Sequence, residues 1–396
     1  SGVSAGSALT HPIEHLDVVE ISKEVKEAAL EHFAEANLHF AEDPRADIHI
    51  EDAKTFLLLS PRKYDVIVSE PTNPWIAGVA GLFSQEFFET CRDHLAPDGL
   101  ILQWIHVYEI QDEALMSVLL TFTETFPYVV IWNMNRYDIA IMGSPSPFRP
   151  DFAAMEKAIG REAVAKDLTR LGIDHLLSLL SLQMFSNAET PTRIFEGATI
   201  NSDFRPYLEY KAPVGFFAGS PAEAIKSIDM RDWAKSVRRL WIDDYAPAPP
   251  PTSAEFAANY AGRHESGSLH PDHLRDWADR WYAAWPADPR AVQARGETRS
   301  NLPEWQFDRL TEAVAQHETD EWLADKYAQA SVRLLREDRP AGNPFSDEVR
   351  SAVQHARSFH PNRQWPYARM MVDIHYRQGD MDSVLREGAI VFPHIA

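Results

Sequence analysis

The sequence predicts an α/β protein whose first half is a doubly wound, mostly parallel sheet and whose last part is all helix. Three observations carry this expectation. From Leu16 up to Gly99 short β-branched runs alternate with amphipathic helical stretches, the order that gives parallel strands with helices on both faces. The runs Tyr128 to Trp132 and Asp138 to Met142 flank the turn Asn133-Met134-Asn135-Arg136, a hairpin that ends the unit in an antiparallel pair. Beyond the proline run Ala246-Pro247-Ala248-Pro249-Pro250-Pro251 the periodicity turns helical and stays so through Ala396.

The first element is Ser1-Gly2-Val3-Ser4-Ala5-Gly6-Ser7-Ala8-Leu9, rich in small residues and leading into a helix. A glycine turn acts in the joint between a strand and a helix, and only the helix side is present. The chain therefore reads either as cut upstream, with the first strand missing, or as opening on an unordered tail. Leu16-Asp17-Val18-Val19-Glu20-Ile21 is the first clear strand, and Ser22 caps an amphipathic helix expected to reach about Leu38. Asp47-Ile48-His49-Ile50-Glu51-Asp52 is the next strand and ends in paired acids. Asp52 either caps the short helix Ala53 to Leu59 or faces a ligand.

Tyr64-Asp65-Val66-Ile67-Val68 holds four β-formers, which suits a strand covered on both faces, and Pro71 and Pro74 stop its ladder. A helix follows from Phe83 to Leu95, with Phe83, Phe87, Phe88, Cys91 and Leu95 on its apolar face. Pro97-Asp98-Gly99 is a turn into the buried strand Leu100 to Ile105, and a helix spans Asp112 to Phe126. Phe152 to Leu182 is largely helical by periodicity, and Ile200 to Tyr210 is a polar turn leading into a short aromatic segment. The domain reading is 1–215 for the sheet domain, 216–252 for a Pro-rich linker region and 253–396 for a helical domain. In the last of these Tyr376, Gly379, Asp380, Leu385 and Pro393 stand at spacings of a tetratricopeptide-type (TPR) unit, with a plain helical bundle as the alternative.

Composition narrows the function classes. A net charge of −21 excludes a phosphate-neutralising nucleic-acid surface and favours cationic small molecules. The single cysteine, Cys91, leaves no internal disulfide and no multi-cysteine metal site. Apolar runs stay well short of the roughly 20 residues that span a bilayer, so a soluble, cytoplasmic protein is expected.

Ligands of open α/β sheets sit beyond the carboxyl ends of the strands. There the sequence places Glu70, Asn73 and Trp75. Glu20 follows Gly2 at about the spacing at which an acidic residue accepts hydrogen bonds from a ribose. Gln103 ends the fifth strand of the pattern and can hydrogen-bond an amine. Trp75, Trp104 and Trp132 either wall a pocket, where indole faces attract cations, or belong to the core. His106 reads as structural.

The ordered set Ser1-Gly2-Val3-Ser4-Ala5-Gly6, Val18-Val19-Glu20, Glu51-Asp52-Ala53, Tyr64 to Pro74, Leu82-Phe83, Gly99 to Gln103 and Ser202-Asp203 to Leu208-Glu209-Tyr210 resembles the spermidine synthase-like (polyamine aminopropyltransferase) family. That family shares the class I S-adenosylmethionine methyltransferase fold, a Rossmann-like doubly wound sheet. The resemblance implies that Gly2, Glu20 and Ile21 bind the cofactor, Glu20 at its ribose, and that Asp52 with Ala53 meets its adenine. Glu70 stands at the family's aspartate base, and Asn73 stands where a second aspartate holds the amine. Trp75 and Gln103 complete the expected substrate site.

The implied donor is decarboxylated S-adenosylmethionine, or S-adenosylmethionine for a methyltransferase on the same fold, with no metal. The implied acceptor is a small amine or polyamine. The chain is most similar to a bacterial branch in which this domain is joined to others, often membrane-spanning ones upstream, so the parent protein is expected to be membrane-anchored. A homodimer and a protein partner for the C-terminal helices are further expectations. A non-catalytic protein acting through those helices is the alternative to an enzyme.

Overall fold

The computed structural model describes residues 1–135, 137–171, 173, 175–186, 197–219, 221–222, 240–245, 252–257, 260, 271–298, 310–315, 319–336, 346–362 and 364–391. The proline run at 246–251, Arg136 and Pro393 lie outside them. The chain forms two compact units, Ser1–Pro250 with Ala261–His273, and Pro251–Tyr260 with Leu274–Ala396.

The first unit opens with helix α1 (Val3–Leu9), capped by Gly2 at φ 77°, a left-handed conformation that costs glycine little. Strand β1 (Leu16–Glu20) and strand β2 (Ala46–Ile50) pair in parallel, Leu16 opposite Ala46 and Glu20 opposite Ile50. Between them lies helix α2 (Lys23–His32), whose cap is Ser22, the Oγ accepting from the Val25 N–H. The helix stops six residues before the expected Leu38. Leu38 and His39 are left-handed, at φ 57° and 54°. The buried Asn37 donates its amide to the Ala29 and Ser1 carbonyls, so a side chain takes the helix's end.

Helix α3 (Ala53–Leu59) leads to strand β3 (Tyr64–Ser69), parallel to strand β4 (Leu95–His106). Helix α4 (Gln85–Asp93) connects them and buries Phe87, Phe88 and Cys91 as its pattern predicts. Strand β4 continues into helix α5 (Asp112–Thr125) and the hairpin of β5 (Tyr128–Asn133) and β6 (Asp138–Ser144). Helices α6 (Phe152–Ile159), α7 (Glu162–Thr169) and α8 (Leu176–Leu180) then precede strand β7 (Gln183–Ser186). The five-stranded sheet has the order β3-β4-β6-β5-β7, and β1-β2 form a separate pair.

Two expectations change here. The sheet ends at β7 rather than at the hairpin, because all four β7 residues, just past the stretch that reads as helix, are buried against β5. Nor is β3 covered on both faces: Val66 and Val68 are each 53% exposed, since β3 pairs along one edge with β4 and, among the described residues, has no ladder on the other. The core lies farther along the sheet. Phe83, Phe88, Ile101, Ile105, Leu115, Leu119, Phe122 and Ile131 are fully enclosed there, joined by Trp132 and Trp241.

Helix α9 (Tyr207–Ala218) and the short α10 (Trp241–Asp244) complete the unit. The second unit is helical where described: α11 (Pro271–Ala284), α12 (Pro289–Thr298), α13 (Glu321–Arg336), α14 (Ser346–Ser358), α15 (Trp365–Gln378) and α16 (Met381–Val391). Trp277 and Trp281 stack around Phe256, and Val332, Val349, Val353, Met371 and Ile374 form a second cluster. Gly379 and Asp380 make the turn between α15 and α16, while Tyr376 and Leu385, two of the expected repeat positions, are 66% and 70% exposed. Among the described residues no helix is long and apolar enough to cross a membrane.

Candidate active site

The loop after β3 carries the expected chemistry because proline ends the strand there. Pro71 and Pro74 have no N–H to extend the ladder, so the chain leaves the sheet at Glu70. The register Ser69↔Gln103 sets Glu70 beside the carboxyl end of β4. From across the site the Ser4 hydroxyl donates to Glu70 Oε2 at 2.6 Å. The small-residue start of α1 and the β3 carboxylate, 66 residues apart, are thereby one feature.

Asn73 and Trp75 close the other side. The Asn73 amide donates to the Tyr108 hydroxyl at 3.1 Å. The Trp75 ring meets His106 edge-on with centroids 4.5 Å apart, and it also packs on Tyr108 and Phe216. His106 is completely buried among these rings, and neither of its nitrogens has a hydrogen-bond partner among the described residues. Burial holds its pKa down to about 4, so it is a neutral imidazole at ordinary pH. Gln103 is also fully buried: its Nε2 donates to the Trp104 carbonyl, and its Oε1 has no partner among the described residues.

Glu20 and Asp52 lie at the ends of β1 and β2, as expected from the sequence. Glu20 Oε1 accepts the Ser22 N–H at 2.9 Å. Asp52 Oδ1 accepts the Thr55 N–H and hydroxyl at 2.8 and 2.9 Å, so it caps α3, the simpler of its two readings. Ala53 is the first residue of that helix. Ile21 is 72% exposed. Of the three tryptophans, Trp132 belongs to the core, its ring 5.7 Å from that of Trp241.

Three residues of the site escaped the sequence reading as site residues. Ser4 and Tyr108 are visible only through the partners named above. Asn201 is 1% exposed and saturated: its Nδ2 donates to the Ala80 and Phe83 carbonyls, and its Oδ1 accepts the Leu208 N–H. It ties the loop after Trp75 to the start of α9. Glu209 adds a second tie, accepting the Gly78 N–H at 3.0 Å. A buried asparagine in a polar turn is the one local signal.

Glu20, Asp52 and Glu70 thus lie at or just beyond the carboxyl ends of three strands of an α/β protein, the place where ligands of open sheets bind. Residues 5–142 match the family described as the spermine/spermidine synthase domain. Over 106 residues the chain is 35% identical to spermine synthase of Arabidopsis thaliana, covering 25% of this chain and 29% of that protein. It is 37% identical over 90 residues to polyamine aminopropyltransferase of Alkaliphilus metalliredigens, covering 23% and 31%. The crystal structure of spermidine synthase from Thermotoga maritima aligns with a TM-score of 0.30 at 23% identity, over 36% of this chain and 51% of that one. The chain thus matches less than a third of the length of these two relatives.

Proposed function

We propose that the first unit is an aminopropyltransferase-like enzyme that moves an alkyl group from a sulfonium nucleoside, decarboxylated S-adenosylmethionine, to a small amine. The observation that carries this reading is the Ser4–Glu70 contact, which sets a carboxylate at the meeting point of the glycine-turn side and the aromatic side of the site. The match of residues 5–142 to a spermine/spermidine synthase domain supports it.

The donor set fits a cationic nucleoside. Glu20 offers a carboxylate to ribose hydroxyls, α3 starts at Ala53 beside the adenine position, and the ring faces of Trp75 and Tyr108 suit a sulfonium or ammonium. When bound, the sulfonium supplies an electrophilic methylene and a thioether leaving group. The amine nitrogen attacks that methylene, the carbon–sulfur bond breaks with its electron pair on sulfur, and the ammonium product gives up a proton. Glu70 is the acceptor for that proton. Ser4 aims its carboxylate, Gln103 accepts from the amine, and Asn73, held by Tyr108, borders the acceptor pocket. Closing off water and aligning nitrogen, carbon and sulfur supply most of the acceleration.

A second reading is favoured by one observation. Asn73 is neutral and bonded to Tyr108, so this position offers no carboxylate to draw a polycation. A methyltransferase using S-adenosylmethionine on a less charged acceptor fits that feature.

The test combines calorimetry with turnover. The chain is expected to bind the decarboxylated nucleoside more tightly than S-adenosylmethionine, and Glu70→Gln is expected to abolish transfer while keeping nucleoside binding. The opposite nucleoside preference selects the methyltransferase. Near-normal turnover by Glu70→Gln removes Glu70 as base. Absence of binding to either nucleoside leaves a non-catalytic protein.

A further inference from the structure

At the opposite, amino-terminal end of β1 and β2 the sequence carries His15-Leu16-Asp17 and Asp47, with His49 two residues further along β2. Asp17 and Asp47 are register partners across the parallel pair, and side chains two apart share a face. Two imidazoles and two carboxylates therefore gather on one face. We propose that His15, Asp17 and Asp47 form a site for a divalent transition metal ion of the zinc class, with His49 holding the Asp17 carboxylate, separate from the candidate active site.

The distances support it. His15 Nε2 lies 3.1 Å from Asp17 Oδ1 and 3.7 Å from Asp47 Oδ2, and all three donor atoms lie within 4.8 Å of one another. A tetrahedral ion with bonds of about 2.0–2.1 Å needs donor–donor edges of about 3.3 Å, which these two values bracket. His49 Nε2, 2.7 Å from the same Asp17 oxygen, stands outside that set of three and holds the carboxylate in place. Mixed imidazole and carboxylate donors suit zinc, and three protein ligands leave its fourth position to water.

The surroundings agree. The Asp17 side chain is only 5% exposed, and the Tyr64 hydroxyl donates to its Oδ2 at 2.9 Å, turning Oδ1 toward the histidines. Such outer contacts are how ligating carboxylates are oriented. Two carboxylates sum to a charge that a divalent ion cancels. Arg62 supplies part of that compensation, contacting His15 Nε2 and reaching Asp17 Oδ2 at 3.2 Å. Arg62 and the ion therefore compete for the same atoms. Glu20 lies three residues along β1, roughly 10 Å away at the rise of a parallel strand, so the ion would clamp strand starts and touch no donor of the candidate active site.

The experiment uses the full chain after chelator treatment. Zinc is titrated against a chromophoric chelator, and cobalt(II) serves as a spectroscopic probe of geometry. The wild type is expected to hold one more ion per chain than His15→Ala/His49→Ala, with intense visible bands from four-coordinate cobalt. Asp47→Asn is expected to weaken binding at least tenfold. Because that side chain is 59% exposed, this variant carries the test if the double variant does not fold. Arg62→Gln should tighten binding severalfold by removing the competing cation, whereas His32→Ala/His39→Ala should leave it unchanged. Equal stoichiometry in wild type and His15→Ala/His49→Ala, unaltered affinity in Asp47→Asn, or cobalt bands of a six-coordinate aquo type overturn the proposal.

Discussion

The Ser4 hydroxyl and the Glu70 carboxylate stand 2.6 Å apart, donor to acceptor, and join the start of α1 to the end of β3. A hydrogen bond to a charged acceptor contributes about 1.5–3 kcal/mol when sheltered and less on an open surface. Both partners are exposed, so the lower end applies. Ser4→Ala is expected to lower kcat about three- to tenfold with little change in the KM for donor, because it frees the carboxylate without removing it. Steady-state kinetics on the folded variant decide the point, and an unchanged kcat would show that Ser4 does not position Glu70.

Gly6 holds α1 in that place. A methyl group there would lie 2.1 Å from the Asn37 carbonyl oxygen, a backbone atom with no rotamer to move. Gly6→Ala must push α1 off the turn at Asn37 and carry Ser4 away from Glu70. Overpacking of this kind typically costs about 1–3 kcal/mol. The expected outcome is a lowered denaturant midpoint together with a loss of turnover larger than that of Ser4→Ala.

Asn201 secures the opposite wall. Its side chain makes three hydrogen bonds, to Ala80, Phe83 and Leu208, at 1% exposure. Asn201→Ala leaves two carbonyls and one N–H buried without partners, at about 1 kcal/mol or more each. A loss of about 3 kcal/mol is expected, with amide exchange rising first in residues 78–83 and at the start of α9. Protection confined to wild-type values there would show that the loop is held by other contacts, such as that between Glu209 and Gly78.

Much of this architecture is legible in the chain. The β-branched runs at residues 16–20, 46–50, 64–69 and 100–106 and the hairpin at 128–144 are strands because their local pattern and their backbone pairing agree. The disagreements arise where a long-range partner decides. Gln183 to Ser186 follows directly on a stretch that reads as helix and becomes a strand because β5 offers a free edge. Glu31 to Leu38 keeps a helical rhythm, yet Asn37 turns its amide back to Ala29 and Ser1. In the site, Glu70, Asn73 and Trp75 are readable from the proline-stopped strand. Ser4 and Asn201 are not, since their partners lie 66 and about 120 residues away.

His106 gives the fold an acid sensitivity whose direction follows from its burial. Desolvation lowers its pKa from the ordinary 6.5 to about 4, so between these values the unfolded chain binds a proton that the folded chain refuses. Stability from this group is fully present above about pH 6.5 and is lost as pH falls toward 4. Between pH 7.5 and 5 the loss from this residue alone is about 2 kcal/mol by linkage. His106→Phe retains an aromatic ring against Trp75 and Tyr108 and has no proton to take up. Its denaturant midpoint should therefore fall less than that of wild type over the same pH interval, as read from urea unfolding at the two pH values. Parallel losses in the two proteins would mean that the imidazole finds a partner for its charged form, and that the acid response comes from carboxylates elsewhere.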